Sequence, residues 1–396
     1  MTLREDAARL QSELVALRRR LHRSPEVGFD LPHTQAAVLD ALAGLDLEIT
    51  TGEDLSSVTA VLRGAVDGPS VLLRGDMDAL AIVEETGLEY AAVNGAMHAC
   101  GHDLHVAGLV GAARLLAARR ERIVGSVVFM FQPGEEAGGG APLMIRDGVL
   151  DAAGVRVEAA YGIHVGPGSR GTFQLKEGTI MAGANTLRVL VHGRGGHGSR
   201  PHQAVDPVPV VAEMILALQA WTTRRVSVFD PVVLSVTKLH AGEIVNVIPE
   251  EAGFSATLRT LSEASIAQAR TELPPLVERL AAAHGCTADV EVIVGYPVTV
   301  NTAPETTDAI TVLRDLFGPS RVEELSAPWM ASEDFSYVLR EVPGAFVFLC
   351  ATPPEMVGGD IPMNHSPRAV FDDGVLGDQA AALAALALRH VGARSG

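Results

Sequence analysis

The feature that most constrains the fold of this chain is the alternation of apolar, strand-like runs with helical stretches along its 396 residues. Leucines spaced by four, three and four positions from Leu10 to Leu21 predict an amphipathic first helix that ends near Pro25. A second helical stretch, from His105 to about Arg120, lies among four strand-like runs: Val58–Leu62, Val71–Leu73, Val127–Phe131 and Ala159–Val165. Strands that alternate with helices predict a largely parallel, doubly wound sheet.

The middle of the chain has a different order of elements. Its runs predict, in sequence, a strand at Leu187–Val191, a helix from about Asp206 to Arg225, strands at Val232–Leu239 and Glu243–Leu258, a helix from about Ser262 to Ala283, and a strand at Val290–Val294. The order β-α-β-β-α-β is that of a ferredoxin-like unit. After Pro297 the alternation resumes, with a strand at Ala345–Cys350 and an apolar helix at Val375–Leu388.

We therefore predict an α/β chain of two domains. The first is a mixed, mostly parallel sheet domain that is discontinuous in sequence, comprising residues 1–183 plus 297–396. The second is a ferredoxin-like α+β domain of residues 184–296, inserted in the first. The composition is that of a globular protein, and we expect disorder only at Ala393–Gly396.

The charge balance excludes two classes of partner. With 48 acidic against 31 basic residues, the formal net charge is −17, so neither nucleic acid nor an anionic membrane is expected to bind. An anionic small molecule would need a locally placed Arg or Lys. No leader or membrane-spanning segment is visible, and three cysteines are too few for a disulfide framework, so we expect a cytoplasmic protein.

The densest cluster of metal-ligand residue types is HACGHDLH, residues 98–105. Thiolate and imidazole suit zinc and related ions, and the cluster precedes a helical stretch, where a loop can direct Cys100 and His102 to the carboxyl edge of the sheet. A polar loop around one buried cysteine is the alternative interpretation. The motif alone does not decide between the two.

Two adjacent carboxylates, Glu135 and Glu136, follow an apolar strand and enter a glycine-rich loop, residues 131–140 (FQPGEEAGGG). A glutamate pair is often only a solvated turn. After a buried strand, however, one carboxylate can bind a metal ion while its neighbour acts as general base on a metal-activated water.

Three further segments place polar side chains at strand ends or on a late loop. His164 ends a strand-like run, and His365 lies on a loop before the last helix; a core histidine and a surface histidine are the alternatives. Asp76 and Asp78 follow another strand, where an aspartate can hydrogen-bond a metal-binding histidine or simply cap a helix. Convergence of several such ends on one sheet edge predicts a site.

In order along the chain, the motifs RGDMDAL, HACGHDLH, FQPGEEAGGGA, GGHGSRPHQAVDP, NVIPE, SEDFSY and NHSP resemble those of the zinc-dependent aminoacylase and carboxypeptidase family, peptidase family M20. The resemblance runs from LHRSPE (residues 21–26) to Val375 and is greatest to the subgroup of hippurate hydrolases and indole-acetyl-amino-acid hydrolases. Asp76-Met77-Asp78 stands where the wider family has His-x-Asp, which is the pattern of this subgroup.

The resemblance implies a role for each of ten residues and two divalent metal ions per subunit. Five side chains are implied as metal ligands: Cys100, His102, Glu136, His164 and His365. Glu135 is implied as the general base, Asp78 as a further catalytic-site residue, and His197 as the group that polarises the substrate carbonyl. Asn246 and Arg259 are implied to face the substrate carboxylate. Zinc, manganese, nickel and cobalt all remain possible ions for a thiolate-containing site.

The resemblance further implies that the inserted domain is a lid whose pairing forms a homodimer. The expected reaction is hydrolysis of the amide bond of N-acyl amino acids, hippurate-like or with acetyl or aryl-acyl groups, in which Glu135 accepts a proton from water and returns it to the leaving amine. A dipeptidase or carboxypeptidase using the same site is the alternative within enzymes. A catalytically silent metal-binding scaffold is the alternative outside them, but neither Glu135 nor any implied ligand is missing.

Arg259 is the candidate for the local positive charge that an anionic substrate needs. In residues 254–260 (FSATLRT) strand alternation places Ala256 and Leu258 on one face, and Thr257 and Arg259 on the other. An exposed strand arginine paired with a nearby glutamate is common and contributes little to stability. The functional alternative is a planar guanidinium that binds the substrate carboxylate through two parallel hydrogen bonds.

Overall fold

The protein is described here by a computed structural model that covers residues 2–357 and 359–392; the expected disorder at Ala393–Gly396 lies outside these residues. The chain divides into two compact units. The larger comprises Met1–Ile180, Val300–Ala327 and Asp334–Gly396, and the smaller comprises Met181–Thr299 and Pro328–Glu333.

The helices of the described residues are, in chain order, α1 (Leu3–Arg23), α2 (Pro32–Leu42), α3 (His102–Ala117), α4 (Ala141–Arg146), α5 (Pro207–Arg224), α6 (Glu263–Ala283), α7 (Ala303–Phe317), α8 (Phe335–Glu341) and α9 (Leu376–Val391). The strands are β1 (Glu48–Thr51), β2 (Val58–Arg63), β3 (Val66–Asp76), β4 (Val124–Gln132), β5 (Ala159–Ser169), β6 (Phe173–Leu175), β7 (Gly178–Met181), β8 (Gly183–His192), β9 (Gly196–His197), β10 (Val233–Ala241), β11 (Val247–Ile248), β12 (Glu251–Thr260), β13 (Thr287–Val294), β14 (Thr299–Asn301), β15 (Val322–Glu324) and β16 (Gly344–Thr352).

The larger unit is built on an eight-stranded sheet in the order β1-β2-β4-β3-β5-β16-β6-β15. Its centre is parallel, because β3 pairs in parallel with β4 and β5, and β5 with β16. Strands of such a sheet are covered on both faces, and the last six residues of β3 are accordingly all buried. The prediction of a mixed, mostly parallel α/β sheet is confirmed.

Helices α1, α3 and α9 pack together on this sheet and carry much of its core. Helix α1 begins with a capping box formed by Thr2 and Glu5 and ends at Arg23, near Pro25 as predicted, with Ser24 as its C-cap. Close approach of α3 to α9 requires small residues. A Cβ atom at Gly111 would lie 2.6 Å from the Cβ atom of Ala380, so this position in α3 accepts only glycine without a shift of the helices.

The smaller unit contains a four-stranded antiparallel sheet in the order β10-β12-β8-β13, with α5 and α6 packed on it. Apart from the short strands β9 and β11, the element order is the β-α-β-β-α-β order of a ferredoxin-like unit, as predicted. One predicted strand was too long. Within Glu243–Leu258, the short strand β11 pairs with β9 instead of joining the four-stranded sheet, and β12 begins only at Glu251. Pro249, which lacks an N–H donor, separates the two strands.

The smaller unit also takes in a segment that the sequence had assigned to the other domain. Residues Pro328–Glu333 belong to it. The backbone N–H of Ala182 donates to the Trp329 carbonyl at 2.9 Å, and the Arg259 guanidinium donates to Ser332 Oγ at 3.0 Å. These long-range bonds have no signature in local sequence. In the described part of the chain, no helix is long and apolar enough to cross a membrane.

Candidate metal centre

The predicted ligands of the larger unit lie on or next to the parallel strands β3, β4 and β5 and at the start of α3. Asp76 ends β3, and Glu135 and Glu136 follow β4. His164, predicted to end a strand, is instead the middle residue of β5, which continues to Ser169. Neighbouring parallel strands present their carboxyl ends at one edge of a sheet, so these side chains meet there. Helix α3 begins at His102 beside the same edge, three residues earlier than the sequence had predicted.

The five implied ligands form two overlapping groups. The ligand atoms of Cys100, His102 and His164 all lie within 4.8 Å of one another, and those of Cys100, Glu136 and His365 do so as well. Each group contains one especially close pair: Cys100 Sγ is 3.4 Å from His164 Nε2, and Glu136 Oε1 is 2.9 Å from His365 Nε2. Cys100 belongs to both groups, so its sulfur lies near the ligand atoms of each.

The donor atoms fit a divalent metal ion. Both ring nitrogens of His102 are buried without a hydrogen-bond partner in residues 2–357 and 359–392, and each lies 3.5 Å from an aspartate oxygen, of Asp76 or Asp78. A buried histidine normally satisfies at least one ring nitrogen, so the arrangement suits an ion that accepts a lone pair. Imidazole, thiolate and carboxylate together suit zinc and its neighbours.

His164 is held in the form that binds a metal. Burial, followed by the neighbouring His105, lowers the pKa of His164 well below its usual value, so the ring is neutral. Its Nδ1 lies 2.7 Å from the Val165 carbonyl oxygen, to which it donates. Nε2 therefore carries the lone pair, and this is the nitrogen nearest Cys100.

His365 adopts a backbone conformation that is uncommon for residues other than glycine. Its φ of 70° is in the left-handed region, and its N–H donates to the Ala99 carbonyl at 2.9 Å. Such a conformation persists where surrounding structure enforces it, often at functional sites. Hydrogen bonding to Cys100 and then Glu136 raises the pKa of His365 to about 10.

Asp78 holds the loop of the two glutamates. Its two carboxylate oxygens accept the backbone N–H groups of Glu135 and Glu136, each at 3.0 Å. The sequence had suggested that an aspartate here bonds a metal-binding histidine. The 3.5 Å separation from His102 Nδ1 is too long for a good hydrogen bond, so the bonds to the loop are the stronger contacts.

Sequence reasoning missed a buried network that orients Glu135. Asp334 is fully buried and accepts hydrogen bonds from Arg74 at 2.9 Å, from Gln132 at 2.8 Å and from the Ala141 backbone at 2.9 Å. Its own N–H donates to Glu135 Oε1 at 3.3 Å. The signals in the sequence were the SEDFSY and RGDMDAL motifs, which contain Asp334 and Arg74 but do not show that the two side chains meet.

The same network reaches the histidines of α3. Arg74 and His105 Nδ1 both donate to the carboxylate of Asp76. Burial alone would raise the pKa of Asp76, but Arg74 and the histidines hold it well below its usual value. His105 uses its other nitrogen to accept the Val165 N–H at 2.8 Å, so it is saturated and is not available as a ligand.

The smaller unit carries the three remaining predicted site residues. His197 lies in β9, paired with Val247 of β11, and its Nδ1 accepts the Ser199 N–H at 3.1 Å. The neutral ring therefore bears its proton on Nε2. Asn246 is exposed, and its carbonyl accepts the Gly198 N–H at 2.8 Å. The structure thus brings Asn246 and His197 into one exposed loop pair.

Arg259 is half-buried. It lies on the predicted face of β12, opposite the face on which Ala256 and Leu258 are buried. In the described residues it makes no ion pair; its one side-chain hydrogen bond goes to Ser332 Oγ at 3.0 Å. Burial without a compensating carboxylate lowers the pKa of Arg259 from its usual value. The expected alternative, an exposed arginine paired with a glutamate, is not what the structure contains among those residues.

Comparison with known proteins identifies the family. The profile of peptidase family M20/M25/M40 matches residues 72–389, and the chain belongs to this family. It is 37% identical to thermostable carboxypeptidase 1 of Saccharolobus solfataricus over 98% of both chains. It is 35% identical to N-acetyl-L-cysteine deacetylase of Bacillus subtilis over 88% of this chain and 84% of the relative.

A solved structure of similar fold comes from Bacillus subtilis and is described as a dinuclear metal binding peptidase from the M20 family. It covers 96% of this chain and 98% of its own, with a TM-score of 0.83 and 29% sequence identity. The family and the mixed α/β fold predicted from the motifs are confirmed. The protein is a hydrolase of the M20 family.

Proposed function

We propose that the protein is a metal-dependent amidohydrolase that cleaves N-acyl amino acids with two divalent ions per subunit. The observation that carries the proposal is the pair of overlapping ligand groups that share Cys100, with the buried Glu135 beside them. The relative described as a dinuclear metal binding peptidase supports the number of ions. Zinc, manganese, nickel and cobalt all suit these donors.

Bound divalent ions would supply a water of lowered pKa and would polarise the amide carbonyl. Cys100, His102, Glu136, His164 and His365 would hold them. Glu135 accepts the proton of the attacking water and returns it to the leaving amine. Asp78 fixes the backbone of Glu135, and the Asp334 N–H fixes its side chain, so the carboxylate is placed before substrate binds.

His197 is the proposed donor to the substrate carbonyl. Because its Nδ1 accepts from Ser199, its Nε2–H, which has no partner among the described residues, can donate to the carbonyl oxygen, which gains negative charge in the transition state. The family resemblance supports a lid role for the smaller unit and a homodimer in which His197 completes the site of the partner. The dimer and the cytoplasmic location are parts of this proposal.

Arg259, assisted by Asn246, is the proposed site for the substrate carboxylate. A half-buried guanidinium with no ion pair in the described residues has lost hydration without gaining a counter-charge, and an anionic ligand would supply one. A planar guanidinium can bind a carboxylate through two parallel bonds. The net charge of −17 makes such a local cation the more necessary.

A carboxypeptidase is the second candidate, and the identity to the Saccharolobus relative favours it. Both substrate classes end in a free carboxylate, so Arg259 does not distinguish them. The deacetylase relative supports N-acyl amino acids instead. The two proposals differ only in what precedes the scissile bond, an acyl group or an aminoacyl group.

Metal-reconstituted enzyme should be assayed on acetyl-amino acids, hippurate and dipeptides, with elemental analysis of the same sample. We expect hydrolysis of N-acyl amino acids and close to two ions per subunit. Preferred cleavage of dipeptides would favour the carboxypeptidase. Full activity with at most one ion would contradict the two-ion site, and no hydrolysis of any of these substrates would contradict the proposed function.

A further inference from the structure

His22 of the LHRSPE motif and Arg18, one helical turn before it in α1, lie in a buried charged cluster that the proposed reaction does not use. We name it the Asp103 cluster; its members are Arg18, His22, Glu84, Tyr90, Asp103 and Asp373. The side chains of Arg18 and Asp103 are 0% exposed and that of His22 is 1% exposed. A charged group this deep in a domain core is rare unless it is paired.

Asp103 is the centre of this cluster. Its Oδ2 accepts from Arg18 Nε and from His22 Nδ1, both at 2.7 Å, and its Oδ1 accepts the Leu104 N–H at 3.1 Å. Burial opposes the charge, but Arg18 and then His22 hold the pKa of Asp103 far below its usual value.

Arg18 and His22 are themselves fixed from several directions. Arg18 Nη1 donates to Tyr90 Oη at 2.7 Å and to Asp373 Oδ1 at 2.8 Å. His22 Nε2 lies 3.2 Å from Glu84 Oε1. The cluster thus connects α1, the segment 84–90, the start of α3 and the segment before α9, which are distant in sequence.

Burying such a network is not the cheapest way to hold helices together. Well-packed apolar side chains of similar volume often stabilise a fold as well or better, because they need no desolvation of charge. What a fully satisfied network adds is a single fixed geometry.

Asp103 directly follows the ligand His102, and both belong to the first turn of α3. The His102 ring has no hydrogen-bond partner in the described residues, so its direction depends on its packing against the rings of His105 and His164 and on the backbone that carries it. That backbone makes a tight turn at Gly101, with φ of 85°, where a Cβ atom would lie 2.3 Å from Val165 Cγ2. If the turn at Gly101 rotated about the axis of α3, the hydrogen bonds that Asp103 accepts from Arg18 and His22 would break.

We propose that the Asp103 cluster is a positioning device that sets Cys100 and His102 in their metal-binding arrangement before an ion arrives. The proposal rests on the metal site of the proposed function and adds residues that touch neither ion nor substrate. Removing a residue that orients a metal ligand without itself binding the metal typically lowers metal affinity about 10–100-fold.

The test uses the full-length chain, stripped of metal and titrated with Co²⁺ against a competing chelator. Cobalt bound to a thiolate gives a charge-transfer absorption band, so the spectrum reports the geometry at Cys100 independently of turnover. Asp103→Asn keeps the shape of the side chain but removes its charge. Arg18→Lys keeps the charge but cannot make the same set of directed bonds, and it provides the test if Asp103→Asn does not fold.

We expect both variants to bind Co²⁺ about 10–100-fold more weakly than wild type, with an altered charge-transfer band. Asp6→Asn is the matched control, because Asp6 also lies in α1 and pairs with an arginine, Arg119, but is outside the cluster. It should keep wild-type affinity and spectrum even if its unfolding temperature falls.

Wild-type cobalt affinity and spectrum in a folded Asp103→Asn or Arg18→Lys protein would overturn the proposal and leave the cluster a structural anchor of α1. A fall in affinity equal to that of the control would do the same. Failure of the wild-type chain to bind cobalt through Cys100 would instead overturn the metal site, and this inference with it.

Discussion

Asp78 accepts the backbone N–H of Glu135 at 3.0 Å through one carboxylate oxygen, and its other oxygen accepts the N–H of Glu136 at the same distance. One buried carboxylate therefore fixes two residues with different proposed roles, the general base and a metal ligand. Hydrogen bonds from backbone N–H groups to an ionised carboxylate are stronger than neutral ones. The spacing between base and ligand depends on this contact.

Asp78→Asn should loosen both glutamates at once. The amide keeps one acceptor oxygen, but its NH₂ group cannot accept, so one of the two backbone N–H groups loses its partner. We expect metal affinity or kcat/KM to fall about 10–100-fold. Metal titration and steady-state kinetics measure the two effects, and the exposed Asp67→Asn serves as the control. Wild-type values for both quantities would contradict the role assigned to Asp78.

Glu135→Gln and Glu136→Gln should separate the base from the ligand. Glu135→Gln keeps shape and hydrogen bonding but removes the proton acceptor, so we expect kcat to fall by about 10²–10⁴-fold or more, with metal content retained. Glu136→Gln should instead weaken metal binding. Elemental analysis and turnover measured on the same samples test this assignment of base and ligand. Retained turnover in Glu135→Gln would refute it.

The raised pKa of His22 predicts that the stability of the metal-free protein depends on pH. Burial opposes its charge, but Asp103, in ion pairing and hydrogen bonding, and Glu84 raise its pKa above the usual value of about 6.5. A group whose pKa is higher in the folded than in the unfolded protein stabilises the folded state fully at pH values below the pKa of the unfolded state. This stabilisation is lost as the pH rises through the pKa of the folded state.

Wild-type protein should therefore lose stability as pH rises above about 6.5, and His22→Gln should lose less over the same range. Thermal unfolding of chelator-treated protein between about pH 6 and 9 gives the comparison. Parallel pH profiles for the two proteins would show that His22 does not titrate as its surroundings indicate.

The sequence predicted what depends on local pattern. The periodicity of α1, the run of β3 and the β-α-β-β-α-β order of the smaller unit all follow from side-chain alternation, and the structure contains them. The meeting of His164 with Cys100 was predictable too, because parallel strands end at one edge of the sheet.

Contacts between distant residues were not predictable in this way. Arg74 and Asp334 are separated by 260 positions, and Arg18 and Asp103 by 85. An aspartate in a motif can be a metal ligand, a helix cap or a buried counter-ion. Which of these it is depends on the residues that the fold places next to it. The same holds for Ser332, whose bond to Arg259 brings a late segment into the smaller unit.

The proposed role of His197 can be tested by mixing two inactive proteins. If His197 completes the site of the partner subunit, a hybrid of His197→Ala and Glu135→Gln subunits contains one site with both groups intact. We expect mixing to restore part of the activity, up to about half per hybrid dimer if one of its two sites is intact. Subunit exchange should be verified with differently tagged chains. Exchange without recovery would indicate a site completed within one chain.

Arg259 makes the sharpest prediction about substrate class. Its guanidinium has one hydrogen bond, to Ser332, and no ion pair in the described residues, so a carboxylate would be its first counter-charge. A bidentate bond to that carboxylate would orient the amide for attack as well as contribute to binding. Arg259→Ala should therefore reduce kcat/KM on an N-acyl amino acid far more than on the matching carboxamide.

The comparison removes effects that Arg259→Ala has on folding, since both substrates meet the same protein. For charge-assisted hydrogen bonds of about 1.5–3 kcal/mol, the difference between the two substrates should be roughly ten- to a hundredfold. Arg259→Lys keeps the charge but not the planar geometry, and should fall between wild type and Arg259→Ala. Equal loss on acid and carboxamide, or no loss on either, would make Arg259 a structural residue and place carboxylate recognition elsewhere.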